Sequence, residues 1–186
     1  MEIVTFRITG VSPILQNNPA KMQASKDDSL KSGKKVYDPK IEAEASVYRN
    51  ERKEIVVPSI AFRASMFKAA TGRKIGKMSA KTVIAAAVFP VETVCILVGA
   101  KTDKPIKDYV IHSCRCVVNK AGIIRCRPMI EEWATDLALE LDTQFAPGLE
   151  KVVLELLNIA GKVAGVMDWR PEKLGTFGRF TAAMKE

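Results

Sequence analysis

The chain has 186 residues, a formal net charge of +8 and an isoelectric point of about 9.4, and 47% of its residues are hydrophobic. This apolar content excludes general disorder, while no apolar run reaches the ~18 residues of a membrane-spanning helix. The positive charge favours an acidic partner, most commonly nucleic acid. The amino-terminal apolar run is too short for a signal peptide, and the cysteines lack a disulfide-framework spacing, so we expect a cytoplasmic protein.

The first predicted element is a strand over residues 2–9, where Val4, Phe6 and Ile8 alternate with polar positions. Residues 16–40 differ in kind, because they are rich in Lys, Ser, Asn and Asp and poor in large apolar side chains. Such a segment cannot bury enough surface to order itself, and a connection this long inside a compact domain is usually functional or disordered. We therefore predict a flexible insertion over residues 16–40.

Helices and strands alternate through the remaining chain. Ser59 is expected to be the N-cap of the second helix, and the continuous apolar run at residues 82–89 is expected to be a buried strand. Helices are predicted over residues 41–49, 60–71 and 149–160. Strands are predicted over residues 55–57, 82–89, 91–98, 109–118, 123–127, 133–141 and 179–183, with 109–118 and 123–127 forming a hairpin.

Without its insertions, this order of elements reduces to β-α-β-β-α-β. It predicts a single α+β domain over residues 1–186 with a ferredoxin-like (RRM-like) core and a long insertion after the first strand. In such a unit two helices cover one face of an antiparallel sheet, and the other face or the edge loops remain for function. The fold alone does not decide which function, because this unit hosts many.

Charge is distributed unevenly along the sequence. Residues 55–91 contain six bases and no acid, whereas residues 129–158 contain seven acids and Lys151 as their one base. Two faces of opposite sign would allow one face to bind nucleic acid, or would allow copies of the chain to stack head to tail. The alternative is that these are ordinary solvated faces whose charges happen to cluster. For any single charged residue, this alternative is the better explanation.

Residues 160–180 combine a helix end with four glycines at positions 161, 165, 175 and 178 and three cations, Arg170, Lys173 and Arg179. Glycines this dense indicate left-handed backbone or close approach of another chain segment. A cationic glycine loop at a helix end can present free N–H groups and charge to phosphates. An ordinary helix C-cap followed by a surface turn and an edge strand explains the same pattern equally well.

Three stretches carry a family resemblance: "ITGVSPIL" after the first strand, "VVPSIAFRASMFKAA" around the second helix, and "AGKVAGVMDWRP" with "GTFGRF" near the carboxyl terminus. Together they resemble the RAMP superfamily, the ferredoxin-like RNA-binding proteins of CRISPR effector complexes. The similarity is greatest to the backbone subunit that polymerises along guide RNA and to its phage- and prophage-encoded stand-alone relatives. It implies RNA as the ligand, assembly along it, and a thumb-like role for residues 16–40, which would cross the nucleic acid.

Metal binding and catalysis have weaker support. His112, Cys114 and Cys116 recur at period two on one predicted strand, and Cys126 shares their face only in one register of the hairpin. Small buried thiols are the commoner explanation for such a spacing, so we expect neither a metal nor a cofactor. The sequence contains no P-loop, dinucleotide fingerprint or HExxH motif. The resemblance to RAMP subunits that cleave RNA implies that Asp27 and Asp28 would be the acids of a ribonuclease, while a solvated turn is the commoner explanation of this pair.

Three functions follow from these patterns. The favoured one is a non-catalytic, largely sequence-independent binder of single-stranded nucleic acid, RNA rather than DNA, that assembles head to tail as a possibly helical oligomer. The alternatives are a viral structural or interaction protein that stacks by charge alone, and a metal-dependent ribonuclease. No membrane role is expected. The predicted nucleic-acid-binding residues are Arg63, Lys68, Arg73, Lys74, Lys77, Arg170, Lys173, Arg179, Lys31, Lys34 and Lys35.

Overall fold

A computed structural model of the protein describes residues 1–20, 38–118 and 121–185. The strands are β1 Glu2–Gly10, β2 Ile14–Leu15, β3 Val56–Pro58, β4 Lys74–Ile75, β5 Met78–Ser79, β6 Val88–Pro90, β7 Val94–Ile96, β8 Val110–Val118, β9 Ala121–Ile130, β10 Ala134–Leu141 and β11 Phe180–Met184. The helices are α1 Pro39–Glu44, α2 Ser59–Ala69, α3 Ala80–Ala87 and α4 Leu149–Val163, and a short 3-10 turn covers Pro171–Lys173. The chain is therefore a mixed α/β protein with antiparallel sheets and four helices in its described part, compatible with the α+β class.

The largest sheet has the strand order β11-β1-β10-β6, and every neighbouring pair is antiparallel. Alternation along β1 determines its two faces. Phe6 lies opposite Leu137 of β10 and both are fully buried, whereas Arg7 lies opposite Asp136 and both are partly exposed. One face of the sheet is therefore apolar and the other is charged, as the period of two along a strand requires.

Helices α2 and α4 pack against each other and share one apolar core with the buried face of this sheet. Phe62 of α2 contacts Phe180 of β11 edge to face, with ring centroids 5.6 Å apart. Trp133 is fully buried, and its indole N–H donates to the carbonyl of Ser12 at 2.9 Å. This core joins the first and last strands of the chain to the central helices, so both ends of the described chain contribute to the same layer.

Smaller sheets surround this core. Strands β8 and β9 form the predicted long hairpin, and β2 extends it to a sheet of order β2-β9-β8. Strands β3 and β7 pair beside α2, and β4 and β5 form a short hairpin directly after it. None of the helices in the described ranges is long and apolar enough to cross a membrane.

The structure contradicts the predicted strand over residues 82–89. This run forms most of α3, and only its last two residues belong to β6. Ala80, Val83, Ile84 and Ala87 are buried at helical spacing, and the alanines that favour a helix are as apolar as the residues of a buried strand. A short apolar run therefore did not distinguish the two structures.

Two helix starts also differ from prediction. Ser59 is the first residue of α2 and makes no cap; Pro58 occupies the N-cap position, and the Ser59 hydroxyl donates to the carbonyl of Glu92 instead. The helix predicted over residues 41–49 is shorter and earlier, because Asp38 caps α1 by accepting from the Lys40 N–H at 2.8 Å.

The predicted insertion over residues 16–40 has anchored ends. Gln16 is fully buried, where its side-chain amide donates to the carbonyl of Val56 at 2.8 Å and accepts from the N–H of Tyr48 at 2.9 Å. Asn18 donates from its backbone to the carbonyl of Ser46. Residues 16–20 and 38–40 are therefore part of the ordered fold, while residues 21–37, including Lys31, Lys34 and Lys35, lie outside the described residues.

We predict that Gly161→Ala destabilises the protein, although alanine normally stabilises a helix by about 0.5–1 kcal/mol relative to glycine. A Cβ at position 161 of α4 would lie 1.9 Å from the carbonyl oxygen of Phe180. Forced separation of α4 from β11 should cost about 1–3 kcal/mol in the free energy of unfolding. Urea denaturation measures this, with the exposed neighbour Lys162→Ala as control; an unchanged midpoint for Gly161→Ala would contradict the close packing.

Candidate functional site

A cleft in the described chain lies between α2 and residues 165–172, which follow α4. Its volume is about 400 Å³, within the range of small-molecule sites. The lining residues are Asn17, Tyr48, Pro58, Ile60, Ala61, Ala64, Ser65, Lys68, Gly165, Val166, Met167, Asp168, Arg170 and Glu172. The cleft is therefore formed mainly by one face of α2 and by residues 160–180, which we name the glycine segment. Its remaining lining residues are Asn17 after β2, Tyr48 before β3 and Pro58 of β3.

An ion cluster at this cleft unites cations that are far apart in sequence. Lys68 of α2 contacts Glu172 at 3.1 Å, and Arg170 donates to the same carboxylate from Nε and Nη2 at 3.0 and 2.9 Å. The hydrogen bond from Lys68 lowers the pKa of Glu172 most, and the hydrogen bond and positive charge of Arg170 lower it further, while burial raises it by less than the Lys68 hydrogen bond lowers it. The structure thus places two of the predicted binding residues together. Lys68 comes from the base-rich residues 55–91, which we name the basic middle, and Arg170 comes from the glycine segment.

The glycine segment folds tightly on itself rather than presenting an open row of N–H groups. Val166 donates to the carbonyl of Gly178, and Gly178 donates to that of Pro13, at 2.9 and 2.8 Å. A Cβ at Gly178 would lie 2.0 Å from the carbonyl oxygen of Val166, and φ at this residue is +67°, so glycine is required there. These N–H groups serve the chain's own carbonyls, so any contact with phosphate falls to side chains.

Arg63 lies in the basic middle but is engaged within the fold. Its guanidinium donates to the carbonyls of Val88, Ala85 and Ile84 at 2.8, 3.0 and 3.3 Å. Ile84 and Ala85 lie in the last turn of α3, and Val88 is its C-cap residue. It also lies 5.4 Å from the ring centre of Phe89. A cation at a helix C-terminus stabilises the unsatisfied carbonyls and the helix dipole, so Arg63 has a structural role in this position.

Residues 73–79, which we name the basic hairpin, follow α2 directly. Arg73, Lys74 and Lys77 are exposed, and within the described chain none of them has an acidic partner. Gly76 forms the turn with φ of +59°, and the Arg73 Nε donates to the carbonyl of Ala69 at 3.2 Å, which joins the hairpin to the end of α2. The basic hairpin is therefore a fixed cluster of unneutralised charge, beginning five residues after Lys68.

The remaining predicted cations are at the surface. Lys173 and Arg179 are exposed, and the backbone N–H of Arg179 donates to the Ser12 hydroxyl at 3.0 Å. They belong to the glycine segment and do not line the cleft. Their place in the binding surface stays a prediction.

A second ion network was not predicted from the sequence. Arg127 of β9 contacts both Glu42 of α1 and Asp168 of the cleft, at 3.3 and 3.2 Å. Arg125 also contacts Glu42 at 3.3 Å, and the same carboxylate accepts from the N–H of Cys126 at 2.9 Å. These contacts connect the long hairpin and α1 to the cleft wall, and no local sequence signal indicates them, because the partners are tens of residues apart.

Asn17 and Ser65 are further cleft residues that the sequence did not single out. The Asn17 Oδ1 and the Ser65 Oγ are buried, and neither has a hydrogen-bond partner within the part of the chain that the structure describes. In the sequence, Asn17 is one of several polar residues of the predicted insertion, and Ser65 is an uncharged residue within the predicted helix over residues 60–71.

The hairpin register answers the question of whether the predicted thiols share a face. Cys126 pairs with Ser113, and its Sγ lies 3.2 Å from the Ser113 Oγ, whereas His112 and Cys114 pair with Arg127 and Arg125. Directly opposite residues share a face, so Cys126 lies on the face opposite to His112 and Cys114. Among the described residues no group of three or more His, Cys, Asp or Glu side chains is placed to hold a metal ion.

Aromatic residues near the cleft form a small cluster. The His112 ring packs against Phe177 and Trp169, with centroids 5.2 and 6.2 Å away. Trp169 remains 37% exposed, so it retains surface for contact with a ligand. Tyr37, the other aromatic residue considered for a base contact, lies outside the described residues.

The charged face of the main sheet is acidic on balance. Arg7 contacts Asp103 and Asp136, and Lys185 contacts Asp136 as well. Glu140 lies on the same face, four residues after Asp136 along β10, and makes no ion pair within the described chain. This face is unfavourable for a polyanion, in contrast to the basic hairpin.

Comparison of the chain with models of known protein families, and with curated protein sequences, finds no match. The candidate site therefore depends on the geometry described above.

We expect Glu172→Gln to reduce stability at neutral pH by at most about 1 kcal/mol, because partly exposed ion pairs contribute little. The pKa of Glu172 is lowered in the fold from an ordinary value of 4.5, so its contribution is complete above that value. It declines as pH falls through the lowered folded-state pKa. Thermal melting of both proteins across acidic pH should show curves that converge in acid; a constant difference at all pH values would contradict the ion cluster.

Proposed function

We propose that this protein binds single-stranded nucleic acid, RNA in preference to DNA, largely without regard to sequence and without catalysing a reaction. The observation that carries the proposal is the basic hairpin, a fixed cluster of exposed cations with no acidic partner in the described chain, five residues beyond Lys68 at the cleft. Phosphate contacts from such a cluster supply affinity that is independent of sequence and dependent on salt.

The cleft gives this binding surface a direction. Lys68 and Arg170 already share one carboxylate, that of Glu172, so a phosphate group can replace Glu172 as the partner of the same two cations. A nucleic-acid strand that passes from the cleft to Arg73, Lys74 and Lys77 would run along the protein surface from the end of α2 to the basic hairpin. The charged face of the main sheet is a less favourable path, because its cations Arg7 and Lys185 already pair with carboxylates.

The topology supports a ferredoxin-like assignment of the core. Taking β1, α2, β6, β10, α4 and β11 in chain order gives β-α-β-β-α-β, and the observed order β11-β1-β10-β6 corresponds to the fourth, first, third and second strands of that unit. We propose on this ground, and on the resemblance of the sequence to the RAMP superfamily, that the protein is a cytoplasmic, stand-alone relative of CRISPR backbone subunits. The arrangement of strands supports the fold and does not select the ligand.

Charge asymmetry supports assembly along the ligand. Within the described chain, Glu140 on the sheet and Glu150 and Glu155 on α4 make no ion pair. The basic hairpin of one copy and an acidic surface of the next are complementary patches at different positions on the molecule, which is the requirement for a head-to-tail contact. Such a contact repeats into an open, possibly helical, assembly when the rotation does not close.

The two other functions have less support. Stacking by charge without nucleic acid uses the same acidic and basic surfaces, and the salt dependence of nucleic-acid binding separates it from our proposal. A ribonuclease would depend on Asp27 and Asp28, which lie outside the described residues.

Replacement of Arg73, Lys74 and Lys77 by Glu should weaken binding of all single-stranded sequences alike. Loss of three phosphate contacts should reduce the slope of log affinity against log salt by about two, since each contact on a single strand contributes about 0.7. Fluorescence anisotropy with labelled oligonucleotides over a salt series measures both effects. The matched control is the exchange of the exposed residues Arg52, Lys151 and Lys162 for Glu, with the same change in net charge; equal losses in both variants would refute a local binding surface.

Head-to-tail assembly should depend on the same charges. We expect multi-angle light scattering with oligonucleotide at low salt to show oligomers that dissociate as salt screens the contact between the acidic and basic surfaces. Glu140, Glu150 and Glu155 replaced by Gln should shift the dissociation to lower salt. A monomer under all salt and oligonucleotide concentrations would contradict this part of the proposal.

A further inference from the structure

Two residues that line the cleft, Ser65 and Asn17, each carry a buried side-chain oxygen, Oγ and Oδ1, that has no partner in the described chain. Ser65 is only 4% exposed, so water has little access to it. Buried polar groups in proteins are nearly always hydrogen-bonded, and exceptions call for an explanation such as a bound ligand. The cleft thus contains unused hydrogen-bonding capacity at its wall.

The face of α2 that borders the cleft has an unusual composition for a surface that only packs. Ala61, Ser65 and Lys68 follow one another at spacings of four and three residues, so they form one stripe of the helix, and Ala64 lies beside them. The small side chains leave room above the helix, and the buried hydroxyl of Ser65 lies on the helix face that borders this room. A helical serine usually bonds back to the carbonyl four residues earlier, but no such bond forms here.

We propose that the cleft receives one nucleobase of the bound strand, with the Asn17 carbonyl oxygen accepting from it and the Ser65 hydroxyl donating to it. This inference rests on the proposed function, because it assigns a part of the same ligand. The Watson–Crick edge of each of the four RNA bases presents a donor next to an acceptor, so this pair of side chains can bond to any of them. The site therefore senses that a base is present without selecting which base, consistent with binding that is largely independent of sequence.

The rest of the cleft suits a base attached to a phosphate. Ile60, Ala64 and Met167 provide apolar wall for the faces of a ring, and Tyr48 also lines the space. Lys68 and Arg170 belong to the same cleft, where they can contact the phosphate of the inserted nucleotide. The volume of about 400 Å³ lies in the range that holds a ligand of this class.

The test compares two probes on the full-length protein: an oligouridine RNA of about 12 nucleotides and an abasic oligomer of the same length and charge. Wild-type protein should bind the oligouridine about tenfold more tightly, since loss of the base leaves buried polar groups unpaired. Ser65→Ala and Asn17→Ala should each lower affinity for the oligouridine and leave affinity for the abasic oligomer unchanged. Thr181→Ala, which removes an exposed hydroxyl on β11, is the control and should change neither.

The outcomes separate this inference from the proposed function. Equal binding of both probes by the wild type, or equal loss of both in Ser65→Ala, would overturn the base site while leaving phosphate-led binding intact. Failure of both probes to bind at low salt would overturn the proposed function and the base site together. Ser65→Ala should retain or raise the melting temperature, because it removes an unpaired buried hydroxyl from a helix, and this measurement separates loss of binding from loss of fold.

Discussion

Close packing between the glycine segment and its neighbours is the constraint on which the rest of the structure depends. At Gly161 the helix α4 touches the backbone of Phe180, and at Gly175 a Cβ would lie 1.7 Å from the carbonyl oxygen of Trp169. No residue with a side chain fits at these contacts without displacing backbone. This packing and its hydrogen bonds hold α4, β11 and residues 11–15 together, and they thereby position residues 165–172 beside α2, where the cleft lies.

The same packing changes the chemical character of the glycine segment. Its N–H groups bond to nearby carbonyls, such as Asp168 to Leu15 at 3.0 Å and Gly175 to Arg170 at 3.0 Å. Backbone can form an anion cradle only where its N–H groups remain unbonded, whereas the C-terminus of a helix presents carbonyl oxygens. Here the segment acts as a rigid support that orients Arg170 and Glu172, so its contribution to charge recognition comes from side chains.

The cations of the protein divide into two groups by their partners. Arg63 and Arg127 are saturated by carbonyls or carboxylates, and they stabilise α3 and the connection between the long hairpin and the cleft. Arg73, Lys74 and Lys77 have no acidic partner among the described residues, so no carboxylate of that part of the chain neutralises their positive charge. Lys68 is intermediate, because the one carboxylate that it contacts among the described residues, Glu172, is shared with Arg170. Net charge alone does not separate these groups, since all of them count equally in the sequence.

Local pattern determined a large part of this fold. The alternation in residues 2–9 and 133–141 specified β1 and β10 and the faces they bury. The apolar stripe of α4 and the hairpin of β8 and β9 were equally recognisable. Each of these elements follows from the period of a strand or a helix. The basic middle was likewise visible as composition. Tertiary structure alone decided that residues 80–87 form a helix, that Gln16 is buried, and that Lys68 meets Arg170, because each depends on contacts between distant segments. The unpaired atoms of Asn17 and Ser65 belong to the same class, since a polar side chain becomes a candidate binding group only when the fold buries it beside a cleft and gives it no partner.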